Sequence, residues 1–208
     1  EHHRPGSLGA ASDDLASGTD AEVRFWLHWW RINRVSSRPW EVAVELDVIV
    51  EVPMGSRNKY EMDQRLGRIR LDRTLFTATQ YPADYGYVPD TLAEDGDPLD
   101  ALVLVPEPTF PGCQIQARPV AVFWMRDERG PDAKLLCVPA HDPRQDSVRE
   151  VDDLPEHLLG EINHFFDVYK DLEPGKSAEA RGWQGRDKAE DIATVAFARF
   201  RETTGQNA

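Results

Sequence analysis

From Trp40 onward the chain falls into short apolar runs separated by turn signals. Val42 to Val52 is β-branched and partly alternating, which predicts a strand ended by Pro53. Arg68 to Asp72 alternates cleanly after Gly67 and predicts a half-buried strand. Ala101 to Val105 is an unbroken apolar run stopped by Pro106, the pattern of a strand buried on both faces. Pro119 to Met125 and Lys134 to Pro139 read as a strand pair joined by a polar loop. Five or more short strands in succession predict a small barrel.

The last third changes period. Leu158, Ile162, Phe165, Phe166 and Tyr169 share one helical face between Leu154 and Tyr169, with Pro155 suited to the first turn. Arg186 to Glu202 repeats the pattern with Ile192, Val195, Ala196 and Arg199. A barrel followed by two packing helices is an α+β domain. Its expected extent is 41–208. Residues 1–22 are rich in Gly, Ala, Ser and Asp without periodicity and read as a disordered tail. The tryptophan-rich stretch 23–32 reads equally as helix or loose appendage, so 1–40 is expected to be a disordered or loosely packed extension.

Composition narrows the function. No run approaches the roughly 18 apolar residues of a membrane span. The formal charge is −13, which argues against nucleic acid, whose phosphates need a Lys/Arg excess. Residues 1–40 hold five acids and five bases, so the whole excess lies in 41–208. Cys113 and Cys137 sit in apolar contexts without metal-ligand spacing, which predicts two buried thiols in a reducing, cytoplasmic setting.

The excess charge is clustered. Asp90, Glu94, Asp95, Asp97 and Asp100 occur within eleven residues that contain no base. Like charges this close repel, and such a segment usually has a cation to neutralise it. Gly96 and Pro98 allow the bend that would let carboxylates converge. Calcium EF-hand spacing fails, because Asp100 stands where the loop glycine belongs and Pro106 where the last glutamate belongs. Magnesium, or manganese as the alternative ion, suits an all-carboxylate site.

Further candidates are Asp127 with Asp132 and Lys134, Lys59 and Arg73 at strand ends, Tyr81-Pro82-Ala83-Asp84-Tyr85-Gly86-Tyr87, and Tyr169-Lys170-Asp171. Taken singly, each of these is commonly a surface or core element. His157 and His164 lie seven apart on a helix, too far for joint ligation, and read as surface or interface residues.

Together with Glu51-Val52-Pro53, Asn58-Lys59-Tyr60-Glu61, Asp72-Arg73, Asp95-Gly96-Asp97-Pro98-Leu99-Asp100 and His164 through Glu173, these motifs resemble the family I soluble inorganic pyrophosphatases from about Val44 to Phe200. The segment Gly55 to Glu61 is similar to the actinobacterial branch. The resemblance implies an OB-like five-stranded β-barrel with flanking helices, usually a homohexamer in bacteria. It implies magnesium-dependent hydrolysis of pyrophosphate. Glu51, Asp95, Asp100, Asp127 and Asp132 would hold several metal ions. Lys59, Glu61, Arg73, Tyr85, Lys134, Tyr169 and Lys170 would surround the substrate, and Asp97 would be the general base, with Asp132 as second choice. Ser177 to Arg181 departs from the family's Lys-Val strand motif, so no basic contribution is expected there. The rivals are a phosphohydrolase for another small phosphorylated substrate and a nucleic-acid-binding OB-fold.

Overall fold

In a computed structural model of the chain, the described residues are 44–205. The expectations for the tail, the tryptophan-rich stretch and the start of the first strand lie outside them. Among the described residues, eight strands and two α-helices follow in the order β1 (Leu46–Val52), β2 (Asn58–Asp63), β3 (Arg68–Thr74), β4 (Asp84–Tyr87), β5 (Asp100–Val103), β6 (Gln114–Asp127), β7 (Gly130–Pro139), α1 (Glu156–Val168), β8 (Ala178–Gly185) and α2 (Arg186–Thr204). The main sheet runs β1-β4-β5-β7-β6-β8, and an additional β1–β6 pairing closes five of its strands into a ring. The fold is therefore α+β with an OB-like barrel. β5 and β7 pair in parallel, whereas β6 and β7 form a long antiparallel hairpin.

Period-two alternation distributes the strands between two cores. Leu102, Phe123, Met125 and Leu136 join a cluster containing Ile162, Phe165 and Phe166 of α1. Their neighbours Ala101, Val103, Val122, Leu135 and Cys137 join a second cluster with Ala189, Ala193 and Ala196 of α2. The middle strands read as continuous apolar runs because both of their faces are covered. Gly86 pairs with Val50 across β1 and β4, and a Cβ there would run into the Ile49 backbone, so only glycine allows this approach.

Three expectations need correction. β3 is mostly exposed and belongs to a separate two-stranded sheet with β2, so its alternation marks a projecting hairpin. In α2 the buried face is Ala189, Ala193 and Ala196, while Val195 is 53 % exposed. Small side chains at i, i+4 and i+7 let the helix approach the sheet, and Val195 lies about 100° round from Ala196. Cys137 is buried, but Cys113 is only partly so; both are free thiols. Burial pushes the Cys137 thiol up despite Arg118 nearby. His157 and His164 are exposed on α1.

Candidate active site

One face of the fold opens into a cavity of about 660 Å³. Its floor comes from β4, β5 and β7, and the β2–β3 hairpin, the β6–β7 turn and the end of α1 supply its walls. All thirteen site residues expected from the sequence line it: Glu51, Lys59, Glu61, Arg73, Tyr85, Asp95, Asp97, Asp100, Asp127, Asp132, Lys134, Tyr169 and Lys170.

Strand register sets the centre. Asp100 lies opposite Tyr87 on one side and Lys134 on the other, and Lys134 is two residues beyond Asp132 on the same face of β7. The Lys134 ammonium donates to Asp100 Oδ2 at 2.6 Å and to Asp132 Oδ2 at 2.9 Å. The Tyr85 hydroxyl donates to the same Asp100 oxygen at 2.6 Å. Lys134 also lies 5.5 Å from the ring centroids of Tyr85 and Phe166. Burial disfavours its charge, yet Asp100 and Asp132 outweigh burial and hold its pKa well above the lysine range. Asp132 shifts upward too, from burial and the Asp100 charge, although Lys134 opposes this. Those two shifts pull in opposite directions on the ion pair. The 2.9 Å contact favours the charged pair.

The walls repeat this alternation of charges. Lys59 Nζ is 2.6 Å from Glu61 Oε1. Arg73 binds Asp72, and its Nε donates to Glu173 Oε1 at 2.9 Å. Lys170 bridges Asp127 at 2.9 Å and Glu128 at 3.3 Å, and Lys176 meets Glu128 at 2.6 Å. Burial would raise the Glu128 pKa, but Lys176, two backbone amides and Lys170 take it down to about 2. Glu51 goes the other way. Burial raises it to about 7, with Asp100 adding to the rise and the Met62 amide and Lys59 opposing it.

The acidic turn projects at the rim. Gly96 has φ 90, and the Asp97 amide donates to Asp95 Oδ1 at 3.1 Å, so the two carboxylates are carried on one tight bend. Arg129 Nη1 donates to Asp97 Oδ2 at 2.8 Å.

Sequence reasoning assigned no role to Asp72, Tyr81, Glu128, Arg129, Glu173 or Lys176, all of which line the cavity. Asp72, Tyr81 and Glu173 stand inside motifs already singled out, which is the signal that could have found them. Arg181 pairs with Glu179 and is not in the lining, in keeping with the departure at Ser177 to Arg181.

The donor chemistry decides what could bind. Ten carboxylates and six Lys or Arg side chains line the cavity, a formal excess of four acids. Its anionic donors are oxygens, which fits a hard divalent cation. Among the described residues no three His, Cys, Asp or Glu side chains form a group that could hold a metal ion; Lys134 bridges Asp100 and Asp132, and Arg129 reaches Asp95 and Asp97. The fit is therefore one of charge and donor type. Among the described residues no helix is long and apolar enough to cross a membrane.

Residues 48–201 match the family model described as inorganic pyrophosphatase. An inorganic pyrophosphatase of the actinobacterium Streptomyces coelicolor is 57% identical over 162 residues, covering 78% of this chain and 99% of that one. One from Methanosarcina acetivorans is 53% identical over 155 residues, covering 74% and 92%. Among solved structures, the Thermus thermophilus inorganic pyrophosphatase has a TM-score of 0.74 at 44% identity, covering 81% of this chain and 97% of that one. The Helicobacter pylori enzyme also reaches 0.74, at 42% identity, covering 76% and 94%.

Proposed function

This chain belongs to the inorganic pyrophosphatase family, and we propose that it hydrolyses pyrophosphate in a magnesium-dependent reaction with Asp97 as general base. The observation that carries this reading is the cavity lining, where carboxylates alternate with lysines and arginines yet outnumber them by four. A multiply anionic substrate would be repelled by that lining unless cations accompany it.

Glu51, Asp95, Asp100, Asp127 and Asp132 would hold the magnesium ions, with manganese as a substitute. Bound magnesium supplies Lewis-acid charge that acidifies water and polarises phosphoryl oxygens. The remaining work falls to the protein. Lys59, Arg73 and Lys170 offer donors to phosphate oxygens after exchanging their present carboxylate partners, and buried Tyr169 adds a hydroxyl beside Lys170. Tyr85 and Lys134 hold Asp100, and Lys134 also holds Asp132. Glu61 orients Lys59.

Asp97 is better placed than Asp132 to accept a proton from the attacking water. Both carboxylates carry a cationic donor on Oδ2, but Asp97 is 59% exposed and its partner Arg129 is 54% exposed, whereas the Lys134 that engages Asp132 is 3% exposed. The wider proposal includes a cytoplasmic setting and a homohexamer, the latter testable by light scattering on the purified chain.

The deciding experiment measures phosphate release from pyrophosphate and from a panel of phosphate esters, with magnesium, with manganese and with a chelator. Release confined to pyrophosphate and abolished by the chelator supports the proposal. Equal release from esters would replace it with a general phosphohydrolase.

A further inference from the structure

Arg129 is the most exposed of the six cations that line the cavity, with Lys176 next at 45%. The Lys134 and Lys170 side chains are 3% and 10% exposed, whereas that of Arg129 is 54% exposed. It stands in the two-residue turn between β6 and β7, where Asp127 pairs with Gly130 and accepts the Arg129 amide at 2.8 Å. From there the guanidinium reaches the acidic turn, with Nη1 2.8 Å from Asp97 Oδ2 and Nη2 3.9 Å from Asp95 Oδ2. One side chain thus spans the acid proposed to hold metal and the acid proposed to take the proton.

We propose that Arg129 is a displaceable cationic latch over the Asp95–Asp97 turn, competing with a divalent metal ion for these carboxylates. The inference rests on the reading that Asp95 belongs to the metal-holding set. A guanidinium and a hard cation seek the same carboxylate lone pairs, and a fixed positive charge this near also opposes the arrival of another. Exposed ion pairs are weak, so the latch yields to an ion that binds more strongly. Lys134 contrasts with it, being buried against two carboxylates and two rings.

The arrangement couples two events. When Arg129 swings off the turn, Asp95 gains an open coordination side and Asp97 loses the donor on Oδ2. Metal loading and exposure of the base therefore occur together, and the latch raises the magnesium concentration at which both take place.

The test is magnesium binding to the full chain without pyrophosphate, by calorimetry or equilibrium dialysis. Arg129→Gln should tighten binding about threefold to tenfold. Arg129→Lys, which keeps the charge, should stay nearer the parent. Unchanged or weaker binding in Arg129→Gln would overturn the latch, as would equal tightening in both variants. Asp95→Asn separates the two readings. If it leaves magnesium binding unchanged, the metal assignment itself fails; if it weakens binding while Arg129→Gln changes nothing, only the latch fails.

Discussion

Arg73 and Glu173, one hundred residues apart, are joined by a 2.9 Å bond from Arg73 Nε to Glu173 Oε1. The Glu173 side chain is only 6% exposed, so this contact fastens the projecting β2–β3 hairpin to the segment following α1. Burial lowers the Arg73 pKa, but Glu173 and Asp72 outweigh it and the net shift is upward. Arg73 is therefore held charged and aimed into the cavity. Glu173→Gln weakens the charge assistance of that bond, by about 1 kcal/mol. The expected outcome is a KM for pyrophosphate several-fold higher with kcat little changed. A fall in kcat at constant KM would mean that Glu173 does not act through Arg73.

Asp97→Asn should preserve the fold, because the side chain is largely exposed and bonded to Arg129 at the rim. An amide cannot accept the proton of the attacking water, so kcat should fall by about 10²-fold or more. The melting temperature, measured on the same sample, should stay close to the parent. Near-normal turnover would move the base role to Asp132.

Asp100→Asn should weaken magnesium activation and also reduce stability. The buried Lys134 ammonium and the Tyr85 hydroxyl both donate to Asp100 Oδ2, and the substitution leaves Lys134 with Asp132 as its remaining carboxylate contact. Removing one partner of a buried pair commonly costs about 3–5 kcal/mol, an upper bound here because Asp132 stays. Magnesium titration of activity and chemical denaturation test the two halves separately. An unchanged half-activating concentration would remove Asp100 from the metal-holding set.

Some of this was legible from the chain alone, for physical reasons. Ala101 to Val105 announced a two-sided burial that the two cores explain. The spacing of Asp132 and Lys134 announced one strand face, and the bond between them follows from it. What escaped was whatever depends on contacts distant in sequence or on short polar stretches. β8 carries Glu179, Arg181, Gly182 and Gly185, too little apolar alternation to signal a strand before it pairs with β6. Glu128 and Arg129 lie in a turn, where no periodicity marks the direction of a side chain. The Val195 error arose because helical pattern-matching favours a large apolar residue over the three alanines that actually permit close packing.

Glu51 gives a prediction in which the effect of one substitution appears only as pH rises. Its pKa rises from 4.5 to about 7, mainly through burial. Between those values the folded protein keeps a proton that the unfolded chain has released, so this group's contribution to stability falls as pH rises through the window. Well above pH 7 the buried charge costs roughly 3 kcal/mol. Glu51→Gln removes that cost, and the amide oxygen can still accept the Met62 N–H that now meets Glu51 Oε1 at 2.7 Å. With chelator present, the variant should therefore melt several degrees above the parent at pH 8 and level with it near pH 4.5. Adding magnesium at pH 8 should narrow or invert the gap, because an ion held by Glu51 stabilises the charge that burial penalises. A gap of the same size at both pH values would show that Glu51 takes up or releases no proton on unfolding, so that burial does not raise its pKa.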